Sequence, residues 1–272
     1  MIIAASTHNA KDPFPVWLKD IVSLGFRYID VEYLKVPDAP RGLRDIVKLT
    51  ELKGIEPEDV ATIKEFRSRK FLEVVGIEAG ALAMESPDSL AKTERRVREV
   101  VDLASNLGAD IVSFTPSVFN HGKVSFAALT EACSRLCHHA EHKAVKLALE
   151  NGEQGSKKLL RTPEQILSVI AQVGSPNLGV CLDVAAAATQ DFNVAQFASK
   201  LAEHTFIVHI NDVTRDLRFK NLIVGLGDLE LAPLFNMFKG RKIPFVIEIF
   251  SGYGAIDVFL CKRQIERVAS LN

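Results

Sequence analysis

Four short apolar runs in the second half of the chain each end in a side chain that can bind a metal. These side chains are Glu150, Asp183, His209 and Glu248, and 26 to 39 residues separate each from the next. That spacing is about one strand plus one helix, so successive parallel strands would bring all four side chains to one rim. Two Glu, one Asp and one His suit a single divalent metal ion, whether Mn, Mg, Co or Zn. The pattern therefore predicts a metal-dependent enzyme.

The four runs belong to a regular alternation of apolar and amphipathic segments. We predict eight strands, at 2–6, 27–32, 73–79, 109–114, 145–150, 177–183, 205–209 and 243–248. Helices are predicted at 14–24, 57–70, 87–107, 125–143, 163–172, 193–203, 229–239 and 255–270. Eight such units predict an α/β fold, a single (β/α)8 TIM barrel that spans 1–272 as one domain. An open doubly wound sheet would need a glycine-rich loop after the first strand, but residues 6–13 contain no glycine.

Composition excludes several classes of partner. The chain has 33 Lys plus Arg against 34 Asp plus Glu, and this balance gives no attraction toward nucleic acid or an anionic membrane. No apolar run approaches the roughly 20 residues of a membrane span, and residues 1–12 lack the features of a signal peptide. The four cysteines lie in apolar surroundings without a paired framework, which favours reduced thiols and a cytoplasmic location.

The segment from Cys133 to His142 resembles a metal cluster, but its spacing indicates a helix instead. Cys133 and Cys137 fall on one stripe with apolar residues, so we expect both thiols in the core. His138, His139 and His142 would then face solvent. We interpret this cluster as structural.

A family resemblance adds to these observations. Its motif residues are Glu150 with Asn151, Asp183, His209 with Asp212 and Arg215, the Gly-Leu-Gly-Asp turn at 225–228, and Glu248. Together they resemble the xylose isomerase-like TIM-barrel superfamily over essentially the whole chain, and its ketose 3-epimerase branch in particular. The superfamily also includes sugar isomerases, inosose dehydratases, hydroxypyruvate isomerases and endonuclease IV-type nucleases.

The resemblance implies that Glu150, Asp183, His209 and Glu248 hold one divalent ion, and that Glu150 and Glu248 act as acid and base. Removing a proton next to a carbonyl creates an enediolate, which a metal bound to the substrate oxygens would stabilise. Two opposed carboxylates favour epimerisation, whereas one base with a shuttled proton gives isomerisation, and both reactions remain open. The expected substrate is a small sugar, polyol or keto-acid.

The expected substrate contacts are less specific. The resemblance places Arg215 and Asn151 near the substrate, and His8 and Glu32 follow early strands, so they should face the same mouth. Each of the last two could contact substrate or be a structural residue of the rim. For Asp212 we favour a loop or capping role over a contact with a metal ligand.

Two positions depart from the epimerase pattern and keep other functions open. Ser156 stands where the pattern has a second Glu, and Ala186 stands where it has a His. An inosose-type dehydratase and a degenerate ligand-binding barrel without turnover are therefore alternatives. A nuclease is disfavoured because the chain has seven histidines and no basic excess. The resemblance also leaves a homodimer open.

Overall fold

Eight parallel strands close into a barrel in their sequence order, as predicted. The computed structural model describes residues 1–10, 13–34, 54–118, 125–250 and 252–270. The strands are β1 Ile2–Ser6, β2 Tyr28–Glu32, β3 Glu73–Ala83, β4 Ile111–Ser117, β5 Lys146–Glu150, β6 Leu178–Asp183, β7 Thr205–Ile210 and β8 Pro244–Ile247. The barrel closes because β1 pairs with both β2 and β8.

Helices follow the strands and cover the outside of the barrel. They are α1 Phe14–Ser23, α2 Pro57–Ser68, α3 Pro87–Leu107, α4 Phe126–Glu141, α5 Pro163–Val173, α6 Val184–Ala188, α7 Val194–Leu201, α8 Ala232–Met237 and α9 Ala255–Ser270. None of these described helices combines the length and apolar character that crossing a bilayer requires. On α4, Cys133 and Cys137 are buried while His138 is exposed, which confirms that the apparent metal cluster there is structural.

Local sequence signals explain where several helices begin and end. The Ser86 side chain accepts a hydrogen bond from Ser89 N at 3.1 Å and caps α3. At α5, Thr162 and Gln165 form a reciprocal capping box. Both helices end at a glycine in the left-handed conformation, Gly108 and Gly174, which terminates the helix without steric cost.

Three elements differ from the sequence predictions. The short helix α6 was not predicted, and it starts directly at the end of β6. The predicted helix over 229–239 is reduced to α8, Ala232–Met237, because Leu229 N donates to Asp212 Oδ1 and Pro233 favours the first helical turn. Strand β3 continues to Ala83 through a register shift, where Gly80 has a φ of 75°.

The strands bury residues on both faces. The larger apolar cluster lies between barrel and helices, and a smaller one of Ala4, Ile111, Ala148, Cys181, Ile207 and Val246 is separate from it. Residues two apart on a strand share a face. Each of four side chains lies two residues beyond a member of the smaller cluster and on the same face: Glu150, Asp183, His209 and Glu248. The barrel interior thus changes from apolar to ionisable at the carboxyl ends of β5 to β8.

Candidate functional site

The four predicted metal ligands come together at the carboxyl ends of β5 to β8; we call Glu150, Asp183, His209 and Glu248 the cage. Oxygen atoms of Glu150, Asp183 and Glu248 all lie within 4.8 Å of one another. His209 Nδ1 lies 2.7 Å from Glu248 Oε2 and 3.6 Å from Glu150 Oε1. Four potential ligands on successive strands therefore share one small volume.

Buried polar atoms of His209 and Glu248 have few hydrogen-bond partners in the part of the chain that the structure describes. His209 Nε2 is buried and has no hydrogen-bond partner among the described residues, and the buried His209 Nδ1 and Glu248 Oε2 contact each other at 2.7 Å. A buried polar atom without a partner is energetically costly, and native proteins rarely leave several of them together. A divalent ion would satisfy these atoms, so the donor set fits such an ion.

Cys181 offers a second donor set, because its thiol lies within 4.8 Å of donor atoms of Glu150 and His209. Burial raises the pKa of Cys181 to about 12. Since metals bind the thiolate and not the thiol, this residue is a poorer ligand than the carboxylates. The sequence analysis did not single it out, although it lies two residues before Asp183 on one strand face.

Asp183 and Asn151 are fixed by local backbone contacts. Asp183 Oδ1 accepts a hydrogen bond from Ala186 N at 3.2 Å and so caps α6. Asn151 Oδ1 accepts from Asp183 N at 2.8 Å, and Asn151 Nδ2 donates to Asp183 O at 3.0 Å. Asn151 is fully buried and ties β5 to β6. The substrate contact that the resemblance implies for Asn151 stays a prediction.

Lys158, which the sequence analysis missed, reaches into the cage. Its Nζ lies 3.0 Å from Glu150 Oε2, and Thr115 Oγ1 donates to the same oxygen. Lys158 is in an irregular polar loop, where neither strand nor helix periodicity indicates a direction for the side chain. Only the folded path of the loop reveals the contact.

The electrostatics of the cage separate its carboxyl groups. Burial would raise the pKa of Glu150, but Lys158 and His209 outweigh it and hold that pKa well below the usual range. Burial and the neighbouring Glu150 raise the pKa of Asp183 to about 7. Glu150 is thus ionised at neutral pH. Asp183 is partly protonated at the same pH when no cation balances the charge of the cage.

A cavity of about 590 Å³ opens above the cage, a size typical of small-molecule sites. Its wall includes Glu150, Lys158, Asp183 and Glu248 on one side of the barrel and Glu32 and Glu78 from β2 and β3. Glu32 lies beside Glu78 in the sheet register, and Glu32 Oε2 lies 3.2 Å from His8 Nδ1. The structure thus places Glu32 at the mouth, with His8 bound to it.

Glu78 and Asp30 are two further acidic groups that the sequence analysis missed. Burial and the charge of Glu248 raise the pKa of Glu78 well above its usual value. Asp30 is fully buried on β2, and burial raises its pKa to about 6. A carboxylate within an otherwise apolar strand was the signal that could have identified both.

Arg215 and Asp212 lie in the loop after β7 and contact protein groups. The Arg215 guanidinium lies 4.7 Å from the ring centre of Phe192, and Arg215 is not among the described residues that line the cavity. The buried Asp212 carboxylate accepts hydrogen bonds from Gly225 N at 2.8 Å and Gly227 N at 3.1 Å. Asp212 therefore organises the loop, in agreement with the role that we favoured.

Comparisons with known proteins agree with this geometry. Residues 18–266 match the family model of the xylose isomerase-like TIM barrel. An uncharacterised protein of Methanocaldococcus jannaschii is 25% identical over 207 residues, which cover 72% of this chain and 70% of that protein. A probable endonuclease 4 of Mycoplasmopsis pulmonis is 24% identical over 145 residues, 47% of this chain and 52% of that protein.

Solved structures share the fold at low sequence identity. A D-tagatose 3-epimerase-like protein has a TM-score of 0.77 and 18% identity, with 100% of this chain and 98% of that chain covered. The IOLI protein with a binding zinc atom has a TM-score of 0.75 and 18% identity, with 100% and 99% covered. At such identities the likeness concerns the fold.

Proposed function

The chain belongs to the xylose isomerase-like TIM-barrel family, and from that premise we propose that it is a divalent-metal-dependent isomerase or epimerase. Its substrate would be a small sugar, polyol or keto-acid. One observation carries the proposal: Glu150, Asp183, His209 and Glu248 converge below a sugar-sized cavity, with buried donor atoms that lack partners among the described residues.

In this proposal the four cage residues hold the ion, which would supply a Lewis acid to polarise the substrate carbonyl. Glu248 would take the proton from the neighbouring carbon, because its Oε2 contacts the His209 ring, whereas Glu150 is held by Lys158 and Thr115. In epimerisation Glu150, which is ionised at rest, would pass a proton taken up from solvent to the opposite face, and Glu248 would release its proton to solvent.

An inosose-type dehydratase remains the alternative enzyme, because it begins with the same removal of a proton next to a carbonyl. A degenerate barrel that binds a ligand without turnover also remains, supported by Ser156 and Ala186. Ser156 Oγ donates to Glu153 O at 2.8 Å, so this side chain serves the loop. Two carboxylates on one cavity, Glu150 and Glu248, favour an enzyme, since a binding protein has little use for two bases.

We propose a cytoplasmic enzyme whose partner is a small carbohydrate-like molecule. The four buried free cysteines support a reducing compartment. The acidic cavity wall and the balanced net charge of −1 disfavour both nucleic acid and an anionic membrane as partners. A homodimer stays a prediction, and light scattering on the purified protein would measure the mass in solution.

The decisive experiment measures proton exchange on the carbon next to the carbonyl. The protein, loaded with Mn, Co, Mg or Zn, is incubated in heavy water with a panel of ketoses, aldoses, inososes and hydroxy-keto-acids. We expect deuterium in one recovered sugar or its isomer by NMR, and no exchange after chelation of the metal. Loss of water from an inosose, seen by mass spectrometry, would favour the dehydratase.

Elemental analysis supplies the matching control. We expect about one divalent ion per chain in the wild type and none in a Glu150→Gln/Asp183→Asn double variant. A wild-type protein that takes up no metal from any of the four salts would refute the proposed enzyme and leave the degenerate barrel.

A further inference from the structure

The loop after β5, residues 151–161, is held against the neighbouring strand β4. Leu159 N donates a hydrogen bond to Pro116 O at 2.9 Å. Lys158 forms an isolated antiparallel bridge with Ser117, so the loop runs beside the end of β4 as an extra extended segment. The position of Lys158 is therefore fixed by the backbone and not by its side chain alone.

Gly152 at the start of this loop makes room for the Lys158 side chain. A Cβ at position 152 would overlap the Lys158 Cβ, so any larger residue there would displace the stem. Gly152 N also donates to Leu160 O at 2.7 Å, which closes the loop onto itself. The absent side chain and the backbone bond together direct Lys158 toward the cage.

The Lys158 ammonium lies where the negative charge of the cage is concentrated. Its Nζ is 3.0 Å from Glu150 Oε2, and the side chain of Glu150 is only 5% exposed against 31% for Lys158. Asp183 and Glu248 are near enough to attract the same ammonium. Lys158 thus interacts with all three cage carboxylates from one position.

The charges of the cage explain why a lysine beside it matters. Three ionised carboxylates carry three negative charges, and a divalent ion offsets two of them. Given the metal site of the proposed function, we propose that Lys158 is a resident counter-ion of the cage: it stabilises Glu150 when no metal is bound and weakens the binding of the metal. The weakening has two causes, since Lys158 repels the ion and engages one Glu150 oxygen.

Affinity for Mn²⁺ alone, measured by calorimetry without any substrate, tests this directly. We expect Lys158→Met to bind Mn²⁺ about tenfold more tightly than the wild type or better, because a nearby like charge is removed. Lys158→Arg, which keeps the charge, should stay close to the wild type. Lys92→Met removes the same charge from an exposed position on α3 and should change the affinity little. Unchanged or weaker binding by Lys158→Met would overturn the inference.

Thermal unfolding of the metal-free proteins gives a second measurement. We expect Lys158→Met to unfold several degrees below the wild type, because the buried Glu150 loses its cation, and saturating Mn²⁺ should close most of the gap. Lys92→Met should unfold like the wild type. A metal-free Lys158→Met protein as stable as the wild type would contradict the counter-ion role.

These measurements separate the inference from the proposed function. If the wild type takes up no metal while Lys158→Met does, the counter-ion role is supported, because Lys158 alone then prevents metal binding. If neither binds metal, the proposed function fails, and the metal-free unfolding temperatures still decide whether Lys158 stabilises Glu150. If Lys158→Met does not fold, Lys158→Gln, whose amide can still donate to Glu150, replaces it in both measurements with the same expected directions.

Discussion

Glu150 and Glu248 are the same residue type at the ends of β5 and β8, but their side chains have different contacts. Glu150 accepts from Thr115 and from the Lys158 ammonium, whereas Glu248 Oε2 contacts His209 Nδ1 at 2.7 Å. A carboxylate paired with an ammonium accepts a proton less readily, so Glu248 is the better candidate for the first transfer. The difference between the two glutamates comes from their neighbours and not from their spacing.

Replacing Glu248 by the isosteric amide tests this assignment. We expect Glu248→Gln to lower the rate of deuterium exchange by on the order of 10²–10⁴-fold while the protein stays folded, because the volume is kept and the base is lost. Circular dichroism would check the fold. Glu203→Gln, at a side chain that is 90% exposed, serves as the control and should exchange normally. Normal exchange by Glu248→Gln would exclude this residue as the base.

Asp30 makes a second prediction, on stability. Its pKa is raised from 3.8 to about 6 by burial, so the folded protein disfavours the ionised form. The sign follows for the contribution of Asp30: it costs no stability below about pH 4, lowers stability as the pH rises to about 6, and keeps it lower above that. Asp30→Asn should remove this loss and raise the free energy of unfolding near pH 8 by up to about 3 kcal/mol.

Urea unfolding of the chelated protein at several pH values would measure the Asp30 effect. Asp20→Asn, at an exposed carboxylate, is the matched control and should leave the pH dependence unchanged. A gain from Asp30→Asn that is equally large near pH 4 would show that the effect is packing and not ionisation.

Single residues also show what the sequence could and could not reveal. The four cage residues were predictable because each ends an apolar strand, and a parallel barrel brings such ends together. Lys158 was not, because its loop has no period and its direction depends on bonds to β4 and on Gly152. Arg215 stands in the matching sequence position, but its guanidinium lies against Phe192 and outside the described cavity wall.

Among the secondary-structure elements, prediction succeeded where a local signal acts alone. The caps at Ser86 and Thr162 and the glycines after α3 and α5 define those helix ends without tertiary help. It failed at α6, which depends on Asp183 as both strand end and helix cap. It also failed before α8, where Leu229 N is bound to Asp212 Oδ1 at 3.2 Å and is withdrawn from the helix.

The loop after β7 offers a prediction for one such element. The Asp212 carboxylate accepts four backbone hydrogen bonds, from Val213, Gly225, Gly227 and Leu229. We expect Asp212→Ala to lower the free energy of unfolding by about 3 kcal/mol or more, because buried amides lose their acceptor. Asp216→Ala, at an exposed carboxylate in this loop, should change it little. Equal effects of the two variants would refute the role of Asp212.

For the molecule as a whole, the closed barrel predicts one cooperative unit that metal binding stabilises. We expect a single unfolding transition that rises by roughly 5–10 °C at about 100 times the dissociation constant of the ion. Differential scanning calorimetry with and without Mn²⁺ would measure it. An Asp183→Asn/Glu248→Gln variant should show no rise, while Asn at 183 can still cap α6. Two separate transitions would contradict the single domain.

The loop from 151 to 161 has one more consequence, for protein engineering. Its two ends are anchored by main-chain bonds, from Gly152 N to Leu160 O and from Leu159 N to Pro116 O, and those bonds depend little on which side chains the loop carries. We expect the backbone of such a segment to tolerate many different side chains. A library that varies positions 153 to 158 while keeping Gly152 would therefore retune which ion the barrel prefers, and leave its architecture intact.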